Sequence, residues 1–364
     1  MIKDVKKLLV KYNNLNVGVL FDNEGSVCFQ YSNEWIEKGF SISPISLPLS
    51  RKIYRNNNQV LDGLYGVFHD SLPDGWGNLL LRRKLSNIGI DYNKLSPLTK
   101  LSLVGKNGLG ALEYEPIQSE TTDIDEYNLD KLAKEADELI NRNDADIDID
   151  TFCGLGGASG GSRPKIHIKD DSGEWIVKFP CRYDPQDIGY EEYNLNLLAQ
   201  KVGINTNECR LFKSKINKGY FGAKRFDRKN GKRVHMISLS SILETSHLIP
   251  NLDYVILFQV IDKICFGLED KIEAYKRMCF NVLIGNKDDH GKNFAFLYDE
   301  DKASYVLSPF YDITCVKEKT EHEMTINRIG NPKEADLIEV GLRVGFSLSE
   351  CKEILETIKN IIKK

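Results

Sequence analysis

Residues 285–312 read GNKDDHGKNFAFLYDEDKASYVLSPFYD, which puts Asp288 five residues before Asn293 and Asp312 some way beyond both. Between them, FAFLY and SYVL alternate apolar and polar positions around a polar DEDKA turn, the pattern of two paired strands. A hairpin there returns Asp312 toward Asp288. Phosphoryl transfer needs a carboxylate to hold the attacking hydroxyl. It also needs an amide oxygen and a second carboxylate to hold Mg²⁺ against the phosphates of ATP. D-x-x-x-x-N followed by a later Asp supplies all three. Asp289 is equally acidic, but counted from Asn293 it gives a spacing of four, so the expectation falls on Asp288. The plainer alternative is that these acidic and amide residues only shape a turn and hydrogen-bond their own backbone.

A second stretch, residues 153–180, reads CGLGGASGGSRPKIHIKDDSGEWIVKFP and runs from a glycine-rich loop into a hairpin. Gly156, Gly157, Gly160 and Gly161 let backbone N–H groups approach phosphate oxygens without a Cβ in the way. GLGGAS is neither a dinucleotide fingerprint nor a Walker loop, because no apolar strand precedes it and a hairpin, not a helix, follows. In WIVKF, strand alternation puts Trp175, Val177 and Phe179 on one face and Ile176 with Lys178 on the other. An ammonium at Lys178 can pair with ATP phosphates and with a helix carboxylate. Glu192 is the expected carboxylate, with Glu191 as its competitor. It opens a helical run in which Leu195, Leu198, Ala199 and Val202 share a face before Gly203 ends it. Taken singly, Lys178 on a solvated strand and glutamates at a helix N-terminus are unremarkable surface features.

The order of these parts says more than any one of them: glycine-rich loop, strand lysine, helix glutamate, the segment FGAKRFDR, a helical region, D-x-x-x-x-N, hairpin, Asp. Through GVFHDSLPDGWGNLLL, SGGSRPK, WIVKFP, KRFDR, HMISLSSILE, IGNKDDHGKNF and LSPFYD the chain resembles the HipA family of bacterial serine/threonine kinases, the toxin half of toxin–antitoxin pairs. The resemblance implies an α+β, two-lobed protein-kinase-like fold, with a β-rich N-lobe, a helical C-lobe and a small α+β N-terminal subdomain. It makes Asp288 the catalytic aspartate, Asn293 and Asp312 the Mg²⁺ ligands and Lys178 the phosphate-binding lysine. His290 and Lys292 lie in the same catalytic loop. Lys224 to Phe226 would form the adenine-side hinge, with Phe226 against adenine, and Gly160, Gly161 and Ser162 would line the nucleotide.

One departure from the family concerns the loop serine that many members carry, which is Ala158 here when Lys165 is aligned. In the family, autophosphorylation of that serine ejects the loop and silences the kinase, a charge-driven switch. Ser159 is the first candidate for that role and Ser162 the second. Both also serve simply as small polar residues in a tight turn.

Composition narrows the function classes. A chain of 364 residues with 41% hydrophobic content can bury two or three packed units. A formal net charge of −4 argues against a protein that coats nucleic acid by itself. Eight cysteines are scattered with no C-x-x-C pair, which disfavours zinc and a disulfide framework. No signal-like N-terminus and no run of about 18 apolar residues is present, so the expected location is the cytoplasm, away from membrane.

Along the chain, VGVLF and SVCFQY flank Asp22, Asn23, Glu24 and Gly25 as a hairpin. A helix is expected from about Asp74 to Leu85, then extended structure across LSLVGKNGLGALEYEP, with GKNGLG a loop, and then a linker at SETTDIDEYN. Leu129, Leu132, Ala133, Ala136, Leu139 and Ile140 share a helical face behind Asn128 as N-cap. The resulting divisions are an N-terminal subdomain with linker at 1–148, an N-lobe at 149–230 and a helical C-lobe at 231–364. Helical character is expected from HMISLSSILE onward, and Ser347 with Glu350 makes a capping box. Histidines 69, 167, 235, 247 and 322 show no ligand spacing and receive no role.

The leading expectation is a Mg-ATP-dependent serine/threonine kinase that inhibits growth, autophosphorylates its glycine-rich loop and, by the resemblance, acts on an aminoacyl-tRNA synthetase or another translation component. The resemblance also implies a HipB-like helix-turn-helix antitoxin as partner, through which DNA is bound only indirectly. Rival readings are a catalytically silent corepressor and a small-molecule kinase, which shares the same D-x-x-x-x-N and late-Asp logic.

Overall fold

The computed structural model describes residues 2–56, 58–104, 108–119, 127–141, 147–156, 160–316 and 318–363. Ser159 and Gly157, with most of the expected linker and half of GKNGLG, lie outside the described residues. The chain divides into two compact units, Met1–Tyr190 with Cys209–Ile237, and Glu191–Glu208 with Ser238–Lys364.

The first unit contains two larger antiparallel sheets and a two-stranded ribbon, Arg228–Lys229 against Lys232–Arg233. One is built from β1 (Lys7–Tyr12), β2 (Leu15–Asn23), β3 (Ser26–Tyr31), β4 (Tyr54–Arg55) and β5 (Leu112–Glu115), in the order β4-β3-β2-β1-β5. The expected β2–β3 hairpin forms because Glu24 and Gly25 both take positive φ, 53° and 79°, the requirement of a type I′ turn. The other sheet, ordered β6-β7-β9-β8, consists of β6 (Lys165–Asp170), β7 (Gly173–Lys178), β8 (Cys209–Phe212) and β9 (Tyr220–Lys224). Trp175, Val177 and Phe179 point into the core while Ile176 and Lys178 are half-buried, as alternation requires. That core also takes Trp76 and Leu80 from the helix Gly75–Asn87. The helix Leu129–Asn141 adds Leu132, Ala136 and Leu139, and the helix Ile149–Gly156 adds Phe152 and Leu155. Asn128 caps Leu129–Asn141, its Oδ1 accepting from the Lys131 N–H at 3.1 Å. Residue 148 lies within this unit, and the three-part division read from the sequence stands as a proposal.

Extended structure across residues 101–116 is corrected in its first part. Pro97–Ser102 is a helix, with Pro97 in the first turn and Ser96 accepting from the Thr99 N–H; these start signals outweigh a short apolar run, which periodicity alone cannot assign.

In the second unit, the helix Ile188–Val202 buries Glu192, Asn196, Ala199 and Val202, whereas Leu195 and Leu198 are only half-buried. The expected leucine face is therefore displaced toward a polar pair. Asn196 is satisfied within the helix, donating to the Glu192 carbonyl at 2.9 Å, which makes its burial tolerable. HMISLSSILE begins as a strand, Met236–Ser238, before the short helix Leu239–Ile242. Longer helices follow at Tyr254–Ile264, Glu269–Ile284, Glu334–Arg343 and Leu348–Ile362, the last with the Ser347–Glu350 capping box in place. The hairpin read from the sequence is present, with Ala295–Asp299 antiparallel to Ser304–Leu307. Among the described residues no helix is long and apolar enough to cross a membrane.

Candidate active site

In the second unit the site begins where the helix Glu269–Ile284 ends. Gly285 closes it in the left-handed region at φ 71°, donating to the Asn281 and Val282 carbonyls, a conformation that suits glycine. The chain then presents the two aspartates in opposite environments. The Asp288 side chain is 40% exposed. That of Asp289 is fully buried and accepts from the Tyr254 hydroxyl at 2.8 Å and the Glu323 N–H at 3.0 Å, with His322 Nδ1 at 2.9 Å. Burial, and then the charge of Asp289, pushes the Tyr254 phenol well above its ordinary value, so it remains a donor. Asp288 keeps accessible surface, whereas Asp289 braces the loop.

Asn293 lies in the short 3-10 turn Gly291–Asn293, and its Nδ2 donates to the Asp288 carbonyl at 2.7 Å. The amide oxygen is thereby directed away from Asp288. His290 caps the turn, its Nδ1 accepting from the Lys292 N–H at 3.2 Å. Asp312 takes φ 58°, a left-handed conformation that costs a non-glycine residue energy and concentrates at functional sites. Its neighbours tie it to the loop that carries Asp288 and Asn293. The Tyr311 hydroxyl donates to the Lys292 carbonyl, and the Thr314 hydroxyl donates to Asn286 Oδ1 at 3.3 Å. From below, the wholly buried Arg277 donates to the Ser308 carbonyl at 2.7 Å and to Glu273 at 2.9 Å. The hairpin thus delivers Asp312 to the loop carrying Asp288, as its strand pattern predicts.

A strap crosses the same loop. Lys287 Nζ donates to the Lys319 and Thr320 carbonyls at 2.8 and 3.3 Å, and Lys319 Nζ is paired with both Asp288 Oδ1 and Glu323 Oε1.

The first unit holds the glycine-rich loop. Asp74, at the start of the helix Gly75–Asn87, accepts the Gly161 N–H; the Trp76 N–H donates to the Gly161 carbonyl at 2.9 Å; and Lys165 Nζ donates to the Gly160 carbonyl. Ser162 is exposed. Lys178 sits at the end of β7 with its ammonium 5.5 Å from the Phe221 ring centroid. Lys224 lies 5.8 Å from the Trp175 ring centroid, and Phe226 is half-buried in the turn after β9. Around Phe226 a buried cluster forms. Arg225 grips Asp227 at 2.7 Å, Asp227 accepts the Gly110 N–H at 2.8 Å, and Arg225 and Arg228 both donate to the Gly108 carbonyl. Burial opposes the Asp227 charge, but the two arginines hold its carboxyl far below the usual range.

Glu192 is buried at 2% exposure and Glu191 is exposed, which separates the two candidates. Lys178 and Glu192 belong to different units. The sequence reading gave no role to Asp74, Lys165, Asp227, Lys319, His322 or Glu323, and took in Arg225 only as part of the Lys224 to Phe226 segment. Asp74, Lys165, Arg225 and Asp227 stood inside the quoted motifs PDGWG, SGGSRPK and KRFDR. The strap residues carried no local signal.

A strand-rich first unit with a glycine-rich loop and a helical second unit carrying D-x-x-x-x-N define a kinase-like α+β protein. Sequence models of the HipA N-terminal domain and the HipA-like C-terminal domain match residues 8–115 and 157–364, and the chain belongs to the HipA family. The "Putative kinase Y4dM" of Sinorhizobium fredii is 27% identical over 177 residues, 44% of this chain, and the match spans only 42% of that relative's length. HipA of Shewanella oneidensis MR-1, solved with HipB and operator DNA, shares the fold. Its TM-score is 0.71 at 18% identity, over 98% of this chain and 91% of that one. The Helicobacter pylori proinflammatory kinase CtkA aligns at a TM-score of 0.39 and 16% identity, over 55% of this chain and 88% of its own, too weakly to bear on the argument.

Proposed function

We propose that this chain is a Mg-ATP-dependent serine/threonine protein kinase that acts as a growth-inhibiting toxin in the cytoplasm. The observation that carries the reading is the exposed Asp288, with Asn293 turned onto its carbonyl and Asp312 held in a left-handed conformation beside the same loop. Asp288 accepts the attacking hydroxyl and orients it. Asn293 and Asp312 would hold Mg²⁺, and their chemistry fits: both offer oxygen donors, and Mg²⁺ is ordinarily held by one or two such groups together with phosphate oxygens and waters. When bound, the ion neutralises charge on the phosphoryl group. Lys178 pairs with the ATP phosphates, and Glu192 is the buried carboxylate assigned to nucleotide binding in this reading. Gly160, Gly161 and Ser162 approach the phosphates, Lys224 to Phe226 flank adenine, and His290 and Lys292 complete the catalytic loop. Ser159 and Ser162 are the autophosphorylation sites in this reading.

Membership of the HipA family supports a HipB-like helix-turn-helix antitoxin as partner, with DNA reached only through it, and a component of the translation machinery as protein substrate. The test is phosphate transfer from labelled Mg-ATP by the purified chain, alone and with bacterial lysate, against Asp288→Asn and Asp312→Asn. Label on a loop serine or a lysate protein, absent in both variants, is expected. Transfer that persists in Asp288→Asn sinks the assignment.

A further inference from the structure

Resting on the kinase reading above, we infer that Lys319 is a positioning residue that fixes the rotamer of the catalytic carboxylate of Asp288 from the segment following Asp312. Three observations carry it. First, the Lys319 ammonium is paired with Oδ1 of Asp288, the carboxylate that must meet the substrate hydroxyl, while its second contact, Glu323 Oε1 at 2.7 Å, orients it.

Second, the backbone that bears Lys319 is not free to drift. Its carbonyl and that of Thr320 accept from Lys287 Nζ, the Glu323 N–H donates to Asp289 Oδ1 at 3.0 Å, and His322 Nδ1 lies 2.9 Å from Asp289 Oδ2. The strap is therefore anchored to the residues on both sides of Asp288, on the Asp289 side through the buried side chains of Asp289 and His322. An exposed ion pair between two wandering side chains contributes little. A lysine whose main chain is pinned to the catalytic loop spends less entropy in meeting its partner.

Third, the charge arrangement is persistent. Burial alone would lower the Lys319 ammonium, but its hydrogen bonds to Asp288 and Glu323 outweigh this and raise it above its usual value. Holding Oδ1 sets the torsion that aims Oδ2 at an incoming hydroxyl. Aim of this kind matters because small misplacement of a reacting group costs rate steeply. Glu323 serves as the second seat of the ammonium, so Lys319 keeps a carboxylate partner when Asp288 engages substrate.

The experiment uses the full chain with Mg-ATP, reading labelled phosphate delivered to the chain, to water and to lysate proteins, alongside displacement of a fluorescent ATP analogue. Lys319→Met retains the length of the side chain and removes its charge. Expected is a fall of about 10- to 100-fold in the transfer rate at saturating ATP, with nucleotide affinity unchanged. Lys319→Arg should restore most of the rate, and Glu323→Gln should fall between. A Lys319→Met rate equal to the parent's overturns the inference while the kinase reading stands. So does a loss of ATP affinity that accounts for the whole effect, or a Lys319→Arg variant that folds like the parent but is as slow as Lys319→Met. A parent chain that transfers no phosphate to any of the three acceptors sinks the kinase reading and this inference together.

Discussion

Between Asp288 and Asp289 the fold discriminates by solvent: one carboxylate is 40% exposed and the other has no accessible surface and three polar neighbours. The two asparagine variants should therefore fail in different ways. Asp289→Asn removes acceptor capacity from a buried network, leaving the Tyr254 hydroxyl or the Glu323 N–H short of a partner. The expected cost is about 1–3 kcal/mol of stability, read by calorimetry. Asp288→Asn should leave the unfolding transition nearly unmoved and reduce phosphate transfer by about 10²- to 10⁴-fold. A destabilised Asp288→Asn beside a stable but inactive Asp289→Asn would reverse the assignment. The choice between the two was legible in the sequence only through the count to Asn293; the physical reason for it, burial behind Tyr254 and His322, was not. His322 and Lys319 reach the loop from about thirty residues further on, by a tertiary path that no local spacing announces.

At the scale of elements, turn and cap chemistry carried the reading. Hairpins at 22–26 and 299–304, the Asn128 cap and the Ser347–Glu350 box are all set by residues adjacent in sequence, and all appear. What failed was assignment of short apolar runs, as at 101–104, and of helix faces where polar groups are buried, as at Glu192 and Asn196. The glycine-rich loop shows a third case, an element held by a distant one. Gly75 has φ 42°, and a Cβ there would lie 2.2 Å from the Gly161 carbonyl oxygen, far inside contact distance. Gly75→Ala must therefore strain the helix start or displace the loop, at an expected cost of about 1–3 kcal/mol. Because the chain's three tryptophans, Trp35, Trp76 and Trp175, all lie in the first unit, tryptophan fluorescence in a urea titration reads that unit alone. An unshifted midpoint would show that the loop does not depend on this close approach.

For the molecule as a whole, stability rests on groups brought together across long stretches of chain. Asp227 holds the Gly110 N–H 117 residues away, and His235 lies 2.8 Å from the Ile42 carbonyl across 193. No sequence window contains either pair, which is why His235 carried no expected role. Its consequence is a pH dependence whose direction follows from burial. The wholly buried ring is pushed down from its ordinary 6.5 to about 4, burial outweighing the Ile42 contact. The unfolded chain therefore binds a proton between those values that the folded chain refuses. Stability from this group is complete above about pH 6.5 and is lost as pH falls toward 4. The full loss is on the order of 3 kcal/mol. Asp227 acts in the same direction but only below the ordinary carboxylate range, since its carboxyl is held down by Arg225 and Arg228. Urea unfolding followed by tryptophan fluorescence at pH 7, 6, 5 and 4.5 should show the first unit weakening across this interval. In His235→Gln, which removes the titration and keeps a polar side chain, the slope over the same interval should flatten. An unchanged slope in the variant would assign the loss to other groups, among them His167, whose imidazole burial also pushes well below its ordinary value, and not to His235.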